Sequence, residues 1–184
     1  MGSNNLPVYC MKRMQNFIKN NAPWNQLVKH KNINLKLLQN ITTVNLNERI
    51  NITPRLVPHR EELSETIGFN ITVNNKKLLF IPDINNWSQW EKDITKIITD
   101  IDYAFLDATF YKKGEIDRNM NEIPHPFVEE SLMLFNKLKE TERKKIYFIH
   151  FNHTNPLLIN GSKAQKEVLK QGYNIAEEGS AIQF

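Results

Sequence analysis

The run Ile146-Tyr-Phe-Ile-His-Phe-Asn-His-Thr-Asn155 limits what this chain can become more than any other stretch. Its apolar start stops on His150, a second histidine follows at His153, and Pro156 closes it. A short apolar run bounded by polar residues fits a buried strand. Such a strand carries its terminal imidazole to the rim of a sheet. Two other segments close in the same way, Leu56-Val-Pro-His59 and Leu78-Leu-Phe-Ile-Pro-Asp83. Three hydrophobic runs that each end on a His or an Asp can build one site from the ends of several strands. Imidazole and carboxylate together suit Zn²⁺, Fe or Mn²⁺, with no need of cysteine.

Bulk properties narrow the alternatives. With 184 residues, 40% of them hydrophobic and 24% charged, the chain makes one soluble domain or part of a larger one. No apolar run approaches the ~20 residues of a membrane span. Met1 to Met11 contains no apolar export segment, so a cytoplasmic protein is expected. The single cysteine, Cys10, excludes an internal disulfide framework. The formal charge of +4 is spread through mixed-sign stretches such as Lys112-Lys-Gly-Glu115 and Lys137-Leu-Lys-Glu-Thr-Glu142. That pattern describes a solvated surface, whereas a nucleic-acid stripe is concentrated and interleaved with exposed aromatics. The six glycines form no phosphate-cradling loop, and no Gly-x-Ser-x-Gly elbow occurs, which argues against a serine hydrolase. A small-molecule substrate is the expected partner.

The pattern along the chain is strand-rich first, then alternating. Residues 7–10 read as a strand, 11–20 as a helix, and Pro23 as the start of a second helix. Short strands are expected at 35–38, 41–46 and 50–53. Residues 66–73 and 77–81 form a hairpin around Asn74-Asn75, residue types that tolerate a left-handed turn. A helix is predicted over 87–99, with Ser88 as N-cap and Glu91 completing a capping box. A strand at 103–106, a helix at 126–138, a strand at 145–149 and a helix at 162–170 closed by Gly172 follow, then an extended segment at 173–176. The tryptophans are expected in the core and His30 in solvent. Helices on a mixed sheet is the fold class this order implies, α/β (α+β).

The chemistry-bearing positions each have an ordinary structural reading as well. His59, held after Pro58 and flanked by charges, is equally an exposed loop histidine. Asp83 is equally a turn former. His150 and His153 stand beside Asn152, Thr154 and Asn155, polar neighbours that can fix an imidazole tautomer, as a metal ligand requires. Asp107 closes another apolar run, Phe105-Leu-Asp107. His125 lies between two prolines just before a helix start, where it can coordinate, accept a proton or bind substrate.

The ordered set of these segments resembles a known family. His59, Ile67-Gly-Phe69, Ile81-Pro-Asp83, Leu106-Asp-Ala-Thr-Phe110 and Ile149-His150 are similar to the later half of the metallo-β-lactamase superfamily. Pro7-Val-Tyr-Cys-Met11, Ala22-Pro-Trp24, Gln26-Leu-Val28, Val57-Pro-His-Arg60, Glu122-Ile-Pro-His-Pro-Phe127 and Phe148-Ile-His-Phe-Asn-His-Thr-Asn-Pro156 look closest to the pyrroloquinoline quinone biosynthesis protein B relatives. The resemblance covers nearly the whole chain. It implies an αββα sandwich and a metal-dependent hydrolase, or an iron-dependent oxidation in cofactor synthesis. It also implies His59, Asp83 and His150 as metal ligands, while Asp107, His125 and the Ala108-Thr109-Phe110 run resemble the motif that surrounds the metal site of the superfamily's tRNA-processing nucleases, where the matching acid and His assist at the reacting group. His153 matches no family position and is carried as a further catalytic candidate. The family's His-x-His-x-Asp-His, which would lie upstream of Pro7, does not occur among the five histidines. Residues 1–184 are therefore expected to be one partial domain, its C-terminal half. Such a half should not hold a full two-metal centre, so it is either weakly active or a non-catalytic module. Its uncovered apolar face should favour self-association or a partner carrying the missing strands.

Overall fold

The computed structural model describes residues 4–182. Strand β1 (Leu6–Cys10) is followed by α1 (Lys12–Asn20), α2 (Trp24–Lys29) and β2 (Ile33–Leu37), and the two strands pair in parallel. Parallel neighbours require a crossover, which the two helices supply. Helix α1 has no capping side chain of its own. The backbone N–H of Arg13 donates instead to the Glu65 carboxylate at 2.9 Å, tying this lobe to the loop ahead of β5. Trp24, expected in the core, is 46% exposed here and packs against Phe17 at a ring separation of 5.2 Å.

The remaining strands form one seven-stranded sheet in sequence order: β3 (Val44–Asn45), β4 (Ile50–Leu56), β5 (Ile67–Val73), β6 (Lys76–Ile81), β7 (Tyr103–Asp107), β8 (Ile146–Ile149) and β9 (Asn174–Ile175). Pairing is antiparallel from β3 to β6 and parallel from β6 to β9. The β5–β6 hairpin turns at Asn74, which takes a left-handed φ of 53° as the sequence suggests. Gly68 is required for a different reason. A Cβ there would stand 2.7 Å from Ile81 Cγ1 and 2.8 Å from the Phe80 carbonyl oxygen, so β5 and β6 approach more closely than any side chain permits.

Helices α3 (Ile94–Thr99), α4 (Val128–Phe135), α5 (Glu140–Arg143) and α6 (Lys163–Lys170) lie in the parallel crossovers. The predicted 87–99 helix is in fact two pieces. A 3₁₀ turn over Trp87–Gln89 is capped by Asn86, and α3 begins afresh after Asp93, whose carboxylate accepts from the Thr95 and Lys96 N–H groups. The break follows from the two indoles. Trp87 Nε1 donates to buried Ser131 Oγ on α4 at 2.9 Å, and Trp90 Nε1 to the Leu56 carbonyl at the end of β4, also at 2.9 Å. A straight helix is given up for two satisfied buried N–H groups. Ser88 and Glu91 do not form the expected box.

Alternation along the strands separates two faces. Leu79, Ile81, Ala104, Leu106, Ile146 and Phe148 are fully buried in the cluster that also holds Ile94, Ile98, Val128, Leu132, Phe135 and Val168 of the helices. On the opposite face Phe69, Phe80, Phe105 and Tyr147 stand in register across four strands and are only half-buried. No helix among the described residues is long and apolar enough to cross a membrane.

Candidate metal centre

Strand direction assembles the site. Because β4 is antiparallel to β5 and β5 to β6, strand β4 runs the same way as β6, β7 and β8. All four therefore end at one edge of the sheet. His59 lies three residues beyond β4, Asp83 two beyond β6, Asp107 is the last residue of β7, and His150 follows β8 directly. His125 comes from the loop that leads into α4. Ligand sites of open α/β sheets form outside the carboxyl ends of strands for the same geometrical reason. Asp83, Asp107, His125 and His150 each offer an atom within 4.8 Å of the others, a grouping able to hold a metal ion. His59 adjoins it, with Nε2 3.0 Å from Asp83 Oδ1. The His59, His125 and His150 rings stand in a row, with successive centroids 5.2 and 5.8 Å apart.

The two carboxylates have opposite environments. Asp107 is completely buried, and each oxygen accepts two hydrogen bonds. Oδ2 takes the Ile84 N–H at 3.1 Å and His125 Nδ1 at 2.8 Å; Oδ1 takes the Thr109 N–H at 2.9 Å and its hydroxyl at 2.7 Å. Burial alone would raise its pKa, but the hydrogen bonds from His125 and Thr109 and the nearby imidazoles outweigh burial and hold it below the ordinary carboxylate value. Asp83 is the contrary case. Its Oδ1 is buried, and no hydrogen-bond donor among the described residues satisfies it. The 3.0 Å approach of His59 Nε2 lacks hydrogen-bond geometry. The other ring nitrogen, Nδ1, lies 3.0 Å from Asn85 Oδ1, whose own amide donates to Gln89 Oε1, so Nδ1 carries the proton. In the neutral imidazole, Nε2 then presents its lone pair to the Asp83 carboxylate. A cation between them would satisfy both acceptors, and an ion is one of the explanations a buried unsatisfied oxygen calls for. The donor set fits a metal.

His150 occupies a left-handed backbone conformation, φ 61°, uncommon for a non-glycine residue. The Asp107 carboxylate raises its pKa above the ordinary imidazole value, against the opposing pull of burial. The direct separation, 3.8 Å, is too long for a hydrogen bond; the Thr109 hydroxyl, 3.1 Å from His150 Nδ1, bridges the two. The polar neighbours that the sequence offered as tautomer partners do other work. Asn152 Nδ2 donates to Thr154 Oγ1, which donates to Glu115 Oε1, and buried Asn155 clamps the Ala108 carbonyl at 2.7 Å. His153 is exposed in the turn over 153–154 and lies outside the group of four. Thr109 lies in the Ala108-Thr109-Phe110 run that the family resemblance groups with Asp107 and His125; its hydroxyl contacts to both histidines are what the sequence did not show.

Comparison with known proteins agrees with this geometry. Residues 1–151 match the family described as the β-lactamase superfamily domain, and the chain belongs to that family. Among curated relatives, the coenzyme PQQ synthesis protein B of Gluconobacter oxydans is 28% identical over 126 residues, covering 65% of this chain and 40% of that protein. The Acinetobacter baumannii (strain ACICU) counterpart is 22% identical, covering 96% and 65%. The chain thus spans less than two thirds of the length of these relatives. Among solved structures, Zn²⁺-bound PqqB from Methylobacterium extorquens superposes with a TM-score of 0.78 at 18% identity, over 98% of this chain and 63% of that one. A diphosphatase of the PhnP family gives 0.63 at 18% identity, over 95% and 56%. The fold is metallo-β-lactamase-like, and the chain is related to PqqB.

Proposed function

We propose that this chain carries part of the centre of a metal-dependent hydrolase acting on a small molecule. The observation that carries the reading is the buried, donorless Asp83 Oδ1 facing the lone pair of His59. His59, Asp83 and His150 would hold the ion. Zinc is the first choice, by analogy with the Zn²⁺-bound neighbour, and Fe and Mn²⁺ are compatible with the same donors. When bound, such an ion supplies a Lewis acid and a water acidified toward neutral pH. Asp107 orients His125 through the 2.8 Å hydrogen bond, and His125 is placed to exchange a proton with a substrate or its leaving group. An ester, amide or phosphoester would suit this arrangement, and an iron-dependent oxidation is the runner-up on the PqqB relationship. The remaining donors of a two-metal centre would come from outside residues 1–184, which on this reading form the C-terminal half of one domain in the cytoplasm.

The test is metal content after zinc loading and dialysis. The wild-type protein is expected to retain zinc, and His59→Ala and His150→Ala are each expected to lose most of it. Unchanged content in both variants would overturn the reading.

A second reading, an associating module without turnover, is favoured by the half-buried row Phe69, Phe80, Phe105 and Tyr147. Sheets pack face to face through such rows, and on this reading two copies do so. Sedimentation should show a dimer at micromolar concentration that Tyr147→Lys converts to a monomer. A wild-type protein that stays monomeric there rules it out.

A further inference from the structure

We propose that Thr109 is the positioning residue of the centre, its single hydroxyl fixing the tautomer and orientation of His150 and giving His125 an anchor beside the one Asp107 supplies. The inference rests on the metal-centre reading above. A hydroxyl has one proton to donate and two lone pairs to accept with. The Thr109 proton is committed to Asp107 Oδ1 at 2.7 Å, so the lone pairs are free for the two imidazole nitrogens that approach Oγ1. These are His125 Nδ1 and His150 Nδ1, both at 3.1 Å. Each ring therefore carries a proton on Nδ1, and in its neutral form turns Nε2 outward as a lone-pair donor, the tautomer a ligand or a general base needs.

The dependence is unequal. His125 has a second anchor, Asp107 Oδ2 at 2.8 Å, whereas the nearest Asp107 oxygen is 3.8 Å from His150. Among the described residues, the Thr109 hydroxyl is the hydrogen-bonded link between His150 and the buried carboxylate. Thr109 itself is immobilised. It is 8% exposed, its N–H donates to Asp107, and its carbonyl accepts from the Asn152 N–H at 2.9 Å and from Asn155 Nδ2 at 3.2 Å. Asn155, 1% exposed, is in turn fixed by the Leu157 N–H. A rigid clamp thus presents one oxygen to two rings.

The test compares Thr109→Val, which keeps shape, with Thr109→Ser, which keeps the hydroxyl. Two readouts are taken: zinc affinity by calorimetry, and histidine tautomers by long-range ¹H–¹⁵N correlation at alkaline pH in zinc-free protein. Wild type is expected to show Nδ1–H on His150. Thr109→Val should mix the His150 tautomers, leave His125 less affected, and weaken zinc binding about 10–100-fold. Thr109→Ser should restore both. An Nε2–H tautomer at His150 in the wild type overturns the proposal, and so does a Val variant that matches wild type or a Ser variant that fails to rescue. If the wild type binds no zinc, the metal reading falls, and the tautomer comparison still decides the role of Thr109.

Discussion

Replacing Asp107 with alanine should lower the unfolding free energy by about 3–5 kcal/mol, the cost of breaking a buried hydrogen-bonded ion pair from one side. The carboxylate is fully buried and accepts from the Ile84 and Thr109 N–H groups, the Thr109 hydroxyl and His125. Alanine leaves these four donors without their acceptor at a fully buried position. Chemical denaturation at neutral pH measures the loss, and a penalty below about 1 kcal/mol would contradict the account. The same contacts set a pH dependence. The folded-state pKa of Asp107 lies below its unfolded value, so the stability it contributes is complete above the unfolded value. That stability fades as pH falls through the depressed folded value. Wild type and variant should therefore converge in stability in acid and separate as pH rises toward neutrality.

How much of this could be read in the sequence depended on whether the signal was local. The strand ending on His150 was legible because four apolar residues and an abrupt polar stop are local facts, and the β5–β6 hairpin because Asn74 announces its turn. The convergence of His59, Asp83, Asp107 and His150 followed from strands closing alike, though the shared direction of β4 with β6, β7 and β8 is a property of pairing. What escaped was long-range. The split of the 87–99 segment was decided by Ser131 and the Leu56 carbonyl, which reward two indoles for leaving helical geometry. Nothing inside the segment shows that. The family resemblance grouped Thr109 with Asp107 and His125, but its contacts escaped for the same reason, since its partners lie 16 and 41 residues away. Asn152 and Thr154, adjacent to His150 in sequence, looked the better partners and turned out to brace Glu115 instead. Adjacency was a poor guide to which polar group meets which.

The contrast between the two aspartates leads to the second large effect, which appears only when metal is added. Asp83→Ala should leave zinc-free stability within about 1 kcal/mol of wild type, because the oxygen it removes is buried without a donor and contributes little to the folded state. Zinc should separate the proteins. A ligand that binds only the native state at about 100 times its Kd adds roughly 2.7 kcal/mol. For a domain of this size that corresponds to a rise in Tm on the order of 5–10 °C. Wild type is expected to show that rise and Asp83→Ala to lose it, while Asp107→Ala starts far lower and keeps part of its response through Asp83 and His59. A thermal scan of the three proteins with and without zinc gives the answer. Should Asp83→Ala gain as much from zinc as wild type, the ion binds elsewhere and the lone-pair confrontation at Asp83 and His59 has another cause. Should it instead lose several kcal/mol without zinc, Asp83 belongs to the structural scaffold in the same way as Asp107. Only the combination of an indifferent zinc-free state and an abolished zinc response identifies a side chain that the fold tolerates for the sake of a cation.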